Sequence, residues 1–255
     1  MRKRARELWR GRELPGYTAS QTEAGHRTGR GSVLHAQDHP PMGMRGVSMG
    51  IGQADILGLD AVPVPMLSAR FDRALVLTAL LHAAQPRKGT TIPYIAHLLA
   101  VCSIVLEHGG DEDDAIAALL HDAVEDQGGR PTLERIRLLF GERVAAIVDG
   151  CTDTDQVPKP PWRARKEAYI AHLATVDESV LLVSLADKLH NAQSLLRDHC
   201  AVGEAVWARF NAGRPEQVWY YRTLVAAFRS RSIHTELVDE LDRTVTEIEA
   251  TVGEP

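Results

Sequence analysis

From Met66 onward, apolar residues return at steps of three and four along nearly the whole chain. That is the spacing of helices that each bury one face. The run FDRALVLTALLHAA comes first, and IPYIAHLLAVCSIVLEHGG follows with Pro93 near its start and a Gly pair at its end, both of which mark helix boundaries. DEDDAIAALLHDAVEDQGG opens on acidic residues suited to capping and again stops at Gly-Gly. TLERIRLLFGERVAAIVDG reads as two short helices hinged near Gly141. Beyond the Pro-rich loop DQVPKPP lie PWRARKEAYIAHLATV and DESVLLVSLADKLHNAQSLLRDH, then QVWYYRTLVAAFRS and ELVDELDRTVTEIEATV. Alternation with period two, the mark of a half-buried strand, is absent. The pattern predicts an all-α fold, a compact multi-helix bundle without a tandem repeat.

Residues 1–65 lack that period. They hold 10 of the 20 glycines, and all five methionines fall at or before residue 66. The segment counts 9 basic and 6 acidic residues, about +3, which leaves about −8 for the rest of a chain of formal charge −5. Such a composition buries too little surface to offset the entropy of ordering it. A disordered N-terminal extension, or a start of translation assigned too far upstream, is expected there; a basic regulatory arm is the alternative. Residues 66–230 then form the main domain and residues 231–255 a C-terminal helix.

The 44% apolar and 25% charged content suits an ordinary globular protein, and the acidic balance gives no electrostatic basis for binding nucleic acid. No apolar run is long enough to span a membrane, and no apolar stretch follows the basic start as it does in a secretory signal. Cys102, Cys151 and Cys200 are widely spaced and odd in number, unlike a disulfide framework or a Cys-based zinc site. A cytoplasmic location is expected. Nothing in the sequence specifies an oligomeric state.

Three of the predicted helices carry ionisable residues where the apolar period demands core. His97 lies in PYIAHLL; His121 and Asp122 are adjacent, with Glu125 and Asp126 each four residues further on; Asp187 sits inside VLLVSLADKLHNAQSLL with Asn191 and Ser194 on its stripe. An isolated His on an apolar helix is ordinarily a hydrogen-bonded core residue, and a lone His-Asp pair arises by chance. The ordered set argues otherwise. Two imidazoles and two carboxylates from three helices form a mixed nitrogen and oxygen site suited to Mn²⁺, Fe²⁺ or Zn²⁺, and the lack of thiolate speaks against closed structural zinc. Glu125 and Asp126 form a second row able to orient or deprotonate an attacking water. YIAHL occurs twice, carrying His97 and His172, but only His97 follows an Arg-Lys-Gly loop.

The order His97, His121-Asp122, Asp187 resembles the HD superfamily of metal-dependent phosphohydrolases. More narrowly, RKG…PYIAH, LLHDAVED and LADKLHN resemble the hydrolase domain of Rel/SpoT-type alarmone enzymes and their small stand-alone relatives, over about residues 66–230. The resemblance implies removal of the 3′-pyrophosphate from (p)ppGpp, a guanine nucleotide, with Mn²⁺ as the usual ion. It implies His97, His121, Asp122 and Asp187 as ligands and Glu125 with Asp126 as the catalytic acidic pair. Arg87 and Lys88 match the family's basic pair beside the nucleotide, Asn191 its substrate-contacting Asn, and Ser194 stands where Thr is familiar. Arginine grips phosphate in a fork or stacks on a base, whereas lysine offers a point charge.

The chain also departs from that pattern. RKGTTIPY is one residue longer than the family's loop, and DQVPKPPWRARK does not resemble the corresponding segment of the long enzymes, which leaves the choice of nucleotide open. No synthetase domain is expected after the hydrolase part. Trp207, Phe210, Trp219 and Tyr220 read as packing of the C-terminal helices, with base stacking by one of them as the alternative, and Lys188 as facing away from Asp187 or along a cleft edge. Two other functions fit the same residues: an HD phosphohydrolase acting on nucleoside monophosphates or the 2′-phosphate of NADPH, and a non-catalytic nucleotide sensor. The intact Glu125-Asp126 pair speaks against the sensor.

Overall fold

The computed structural model describes residues 67–154 and 158–252; the expectations for residues 1–65 lie outside the described residues. The helices are α1 (Ala69–Leu81), α2 (Ile95–Glu107), α3 (Glu112–Leu120), α4 (Ala123–Gln127), α5 (Arg130–Phe140), α6 (Glu142–Cys151), α7 (Trp162–Leu173), α8 (Glu178–Val202), α9 (Arg214–Ser230) and α10 (Thr235–Val252). A 3₁₀ segment, Gly203–Arg209, joins α8 to α9. Among the described residues there is no strand, only an isolated bridge between Pro86 and Pro93 that closes the loop from α1 to α2. The all-α expectation holds.

Local chemistry sets the helix ends. Ser68 Oγ accepts the Arg70 N–H at the head of α1, and Asp177 accepts the Val180 N–H at the head of α8. Asp111 and Asp114 close a reciprocal capping box on α3, which satisfies donors that have no partner inside the helix. Gly141, at φ 95°, makes the hinge between α5 and α6, a backbone state that a side chain disfavours.

Two helices are buried on nearly every side, as expected of helices that are apolar all round. In α3 every residue from Asp114 to Leu120 is buried, and in α8 every residue from Val180 to Asp187 is. The long α8 packs against α2, α3, α6, α9 and α10. Burial of each of Leu181, Leu185 and Leu189 contributes about 1.5–3 kcal/mol. The C-terminal helix belongs to the same core: α10 buries Leu237, Val238, Leu241, Val245 and Ile248 against α8 and α9. Where the sequence reads one helix through LLHDAVED, the structure breaks it between α3 and α4 at His121-Asp122. The Ala118 carbonyl, which a continuing α-helix would offer to the Asp122 N–H, accepts from His121 Nδ1 at 2.8 Å, and Asp122 sits at φ −92°, ψ −2°, in the sparsely used bridge region.

Candidate metal centre and adjoining cleft

α2, the α3–α4 break and α8 meet at four side chains. His97 Nε2 lies 3.1 Å from Asp187 Oδ1 and 3.7 Å from Asp122 Oδ2. His121 Nε2 lies 3.1 Å from Asp122 Oδ2 and 3.6 Å from Asp187 Oδ1. His97, His121 and Asp187 are buried, and each offers a ligand atom within 4.8 Å of the others. By contrast His172, in the second YIAHL, is exposed on α7.

Both imidazoles are turned so that Nε2 faces the cluster. A carbonyl can only accept, so His121 Nδ1 carries the proton given to Ala118. His97 Nδ1 is 2.7 Å from His190 Nδ1. Burial, followed by the nearness of His97 and Arg87, pushes His190 down to about 4, so its ring is neutral; in the tautomer where His97 Nδ1 donates to it, the His97 Nε2 lone pair points inward. The carboxylates are held as firmly. Tyr94 donates its hydroxyl to Asp122 Oδ2 at 2.5 Å, while Lys188 Nζ and Asn191 Nδ2 donate to the two oxygens of Asp187.

These residues fit a divalent cation. Both Nε2 atoms are buried without a partner in hydrogen-bond geometry, an expensive state unless something positive sits between them. Burial disfavours charge on every member. In His97 burial prevails and lowers the imidazole pKa; in His121 the carboxylates of Asp122 and Asp187 prevail and raise it well above the usual range. Asp187 is held well below the usual carboxylate range, against burial, by Lys188 first and then by the two histidines; Asp122 is lowered chiefly by His121. Lys188 offsets one of the two ionised carboxylates, and a cation between the imidazoles would offset the other. The mixed nitrogen and oxygen donors match a divalent ion of borderline hardness.

The acidic pair lies on α4, directly after the cluster. Glu125 Oε1 accepts from Lys159 Nζ at 2.6 Å, a lysine of the Pro-rich loop before α7. Asp126 Oδ2 accepts from Gln85 Nε2 at 2.8 Å. Desolvation, then the charge of Asp122, pushes Asp126 up to about 6.

A cleft of about 430 Å³ opens from His97 and contains all four residues expected beside the nucleotide: Arg87, Lys88, Asn191 and Ser194. Arg87 Nη2 donates to Asn191 Oδ1 at 2.9 Å and its guanidinium lies over the Tyr94 ring at 5.6 Å. Lys88 Nζ reaches Asn211 Oδ1 at 3.4 Å, and Ser194 accepts from Arg197. The same walls carry Lys166, Lys188, Arg197 and Arg209 against the single carboxylate of Asp198, together with Trp162, Phe210, Tyr220 and Tyr221. A wider hollow of about 760 Å³ beside α9, lined by Arg214, Trp219, Arg222 and Glu249, holds none of the candidate residues.

The structure decides between two expectations and adds several residues. Lys188 lies along the cleft and does not face away: its Nζ bonds the carboxylate next to it while lying 4.9 Å from the Tyr169 ring. Phe210 and Tyr220 line the cleft as well as packing. Gln85, Tyr94, Lys159, Lys166, His190 and Arg209 had no assigned role in the sequence. His190 alone left a readable signal there, three residues after Asp187 on the same helix face.

The HD domain family model matches residues 74–218. The guanosine-3′,5′-bis(diphosphate) 3′-pyrophosphohydrolase MESH1 of Xenopus tropicalis is 40% identical over 134 residues, which are 49% of this chain and 72% of that one. The enzyme of the same activity from Aquifex aeolicus is 36% identical over 131 residues, 51% of this chain but 18% of its own length, so the chain spans less than a fifth of that relative. A solved structure described as a metazoan ortholog of SpoT that hydrolyzes ppGpp matches with a TM-score of 0.58 at 26% identity, covering 71% of this chain and 97% of that one. The family match runs over more than half of the sequence and encloses the whole His, His-Asp, Asp order: the chain belongs to the HD domain family.

Proposed function

We propose that the protein is a divalent-metal hydrolase that removes the 3′-pyrophosphate from (p)ppGpp, giving GDP or GTP and pyrophosphate, with Mn²⁺ as its ion and the cytoplasm as its place of work. One observation carries the reading. The unpartnered His97 nitrogen adjoins a cleft lined by six cationic side chains; Lys166, Lys188 and Arg209 pair with Asp153, Asp187 and Asp198, and Arg87, Lys88 and Arg197 add positive charge beyond those pairs. A phosphomonoester needs little beyond the ion, whereas a nucleotide with phosphates at both ends needs positive charge along its length. The relatives' activity supports the same substrate.

In this reading His97, His121, Asp122 and Asp187 hold the ion, and His190, Tyr94, Lys188 and Asn191 hold those ligands in place. The ion, when bound, supplies Lewis acidity to the phosphate and makes water a better nucleophile. Glu125 and Asp126 align the water in line with the bond between phosphorus and the ribose 3′-oxygen and take up its proton. That bond breaks, the proton passes to the 3′-oxygen, and pyrophosphate leaves from a nucleotide with a free 3′-hydroxyl. Arg87, fixed by Asn191 and Tyr94, meets phosphate oxygens or a base face, and Lys88 neutralises charge at the cleft rim. The test is turnover of a nucleotide panel by metal-stripped protein with Mn²⁺, Mg²⁺ or Zn²⁺ restored. Turnover of ppGpp with Mn²⁺ above all other pairings is expected; preference for a nucleoside monophosphate or NADPH overturns the alarmone reading.

A further inference from the structure

The loop leaving α1 carries a polar chain that reaches the acidic pair from behind. His82 is buried and stacks on Tyr94 with ring centroids 5.3 Å apart. Its Nδ1 lies 2.9 Å from Gln85 Oε1. Gln127, the last residue of α4, donates to the same oxygen. Gln85 Nε2 then donates to Asp126 Oδ2 at 2.8 Å. An ionised carboxylate only accepts, so the amide NH₂ must face Asp126, and the amide oxygen is left to take protons from His82 and Gln127. With both amide ends engaged, the side chain is locked against a flip. Its backbone is locked as well: Gln85 N–H donates to the His82 carbonyl at 3.0 Å, and the Gln85 carbonyl accepts the Tyr94 N–H at 2.8 Å.

We infer that Gln85, clamped by His82 and Gln127, is a positioning residue that fixes the Asp126 carboxylate with Oδ2 occupied and Oδ1 left for the proton of the attacking water. Asp126 needs such a clamp. It stands on the five-residue helix α4 with only part of its side chain open to solvent, and an unclamped carboxylate there samples several rotamers. Positional errors of an ångström in catalytic groups lower rates by about a hundredfold. The chain also shares a member with the metal cluster: Tyr94 stacks on His82 and donates to Asp122. One loop therefore sets both a ligand of the ion and the base beside it. The inference rests on the hydrolase reading above for the work Asp126 does, but not for the geometry of the clamp.

The test replaces Gln85 by Met, equal in length but unable to donate. With Mn²⁺-loaded protein and ppGpp, Gln85→Met is expected to lower kcat at least ~10-fold while KM and metal content stay at the wild-type value. In an Asp126→Asn background the same change is expected to add nothing, because the group it positions is already gone. A crystal structure of Gln85→Met should show the Asp126 carboxylate turned from its wild-type rotamer with His97, His121, Asp122 and Asp187 unmoved. Should Gln85→Met fail to fold, Gln127→Leu unpins the same amide from the other side and should show the same non-additive loss with Asp126→Asn. Equal losses in both backgrounds, a rise in KM alone, or an unmoved Asp126 overturns the inference. Wild-type protein inert to ppGpp overturns the substrate reading instead, and the crystallographic comparison then decides the clamp by itself.

Discussion

The two YIAHL runs send their histidines to opposite environments. His97 is buried against His190 and two carboxylates, whereas His172 is exposed. His97→Ala is expected to release the ion and abolish turnover. His172→Ala should change turnover by less than about tenfold, ~1.4 kcal/mol in barrier. Metal analysis and initial rates on the purified variants check both, and equal losses would mean that the wrong helix faces the site. Asp126 sets a pH dependence at the same scale. In the proposed role of base it works only when ionised, and its carboxyl is held up at about 6. It is protonated below that value and ionised above it, so kcat/KM should rise with pH through a midpoint at or below 6, since a bound cation nearby pulls the midpoint down. The acidic limb should vanish from the residual activity of Asp126→Asn. An unchanged limb in that variant would assign the titration to another group.

Among the elements, the loop between α1 and α2 has the sharpest sequence requirement. Gly89 has φ 72°, and a Cβ there would lie 2.7 Å from Arg209 Cδ. Gly89→Ala should therefore strain the turn by roughly 1–2 kcal/mol and push the Arg87-Lys88 loop off the 3₁₀ segment. The expected result is a KM for the nucleotide raised severalfold with kcat nearly unchanged; an unaltered KM would show that the loop does not touch substrate. Most helices and the Gly141 hinge were legible in the sequence because the apolar period and the glycine are local signals. So were the four residues that converge on the cluster, since each interrupts a buried stripe. The break at His121-Asp122 was not legible, because a side chain competes for the Ala118 carbonyl and the ring's direction is fixed by tertiary neighbours. Lys159 and Gln85 were hidden for a related reason. They belong to loops without a period, and they reach Glu125 and Asp126 across 34 and 41 residues of sequence.

At the scale of the whole molecule, α10 ties the end of the chain to the helix that carries Asp187. Its five buried apolar residues together contribute roughly 8–15 kcal/mol at about 1.5–3 kcal/mol each, comparable with the whole stability of an ordinary domain. A chain ending at Ser230 should therefore lose the cooperative thermal transition seen by circular dichroism; a retained transition would show that α10 is an appendage. The cleft and the cluster are two features of one fold, and the proposed function depends on their acting on one substrate. The direct test follows ppGpp and the Mn²⁺-loaded protein by ³¹P NMR until the substrate is consumed. The account requires pyrophosphate and GDP to appear in equal amounts, without orthophosphate, and no turnover from Asp187→Ala protein. Orthophosphate as the first product, or intact ppGpp beside a dephosphorylated monophosphate or NADPH, would contradict it.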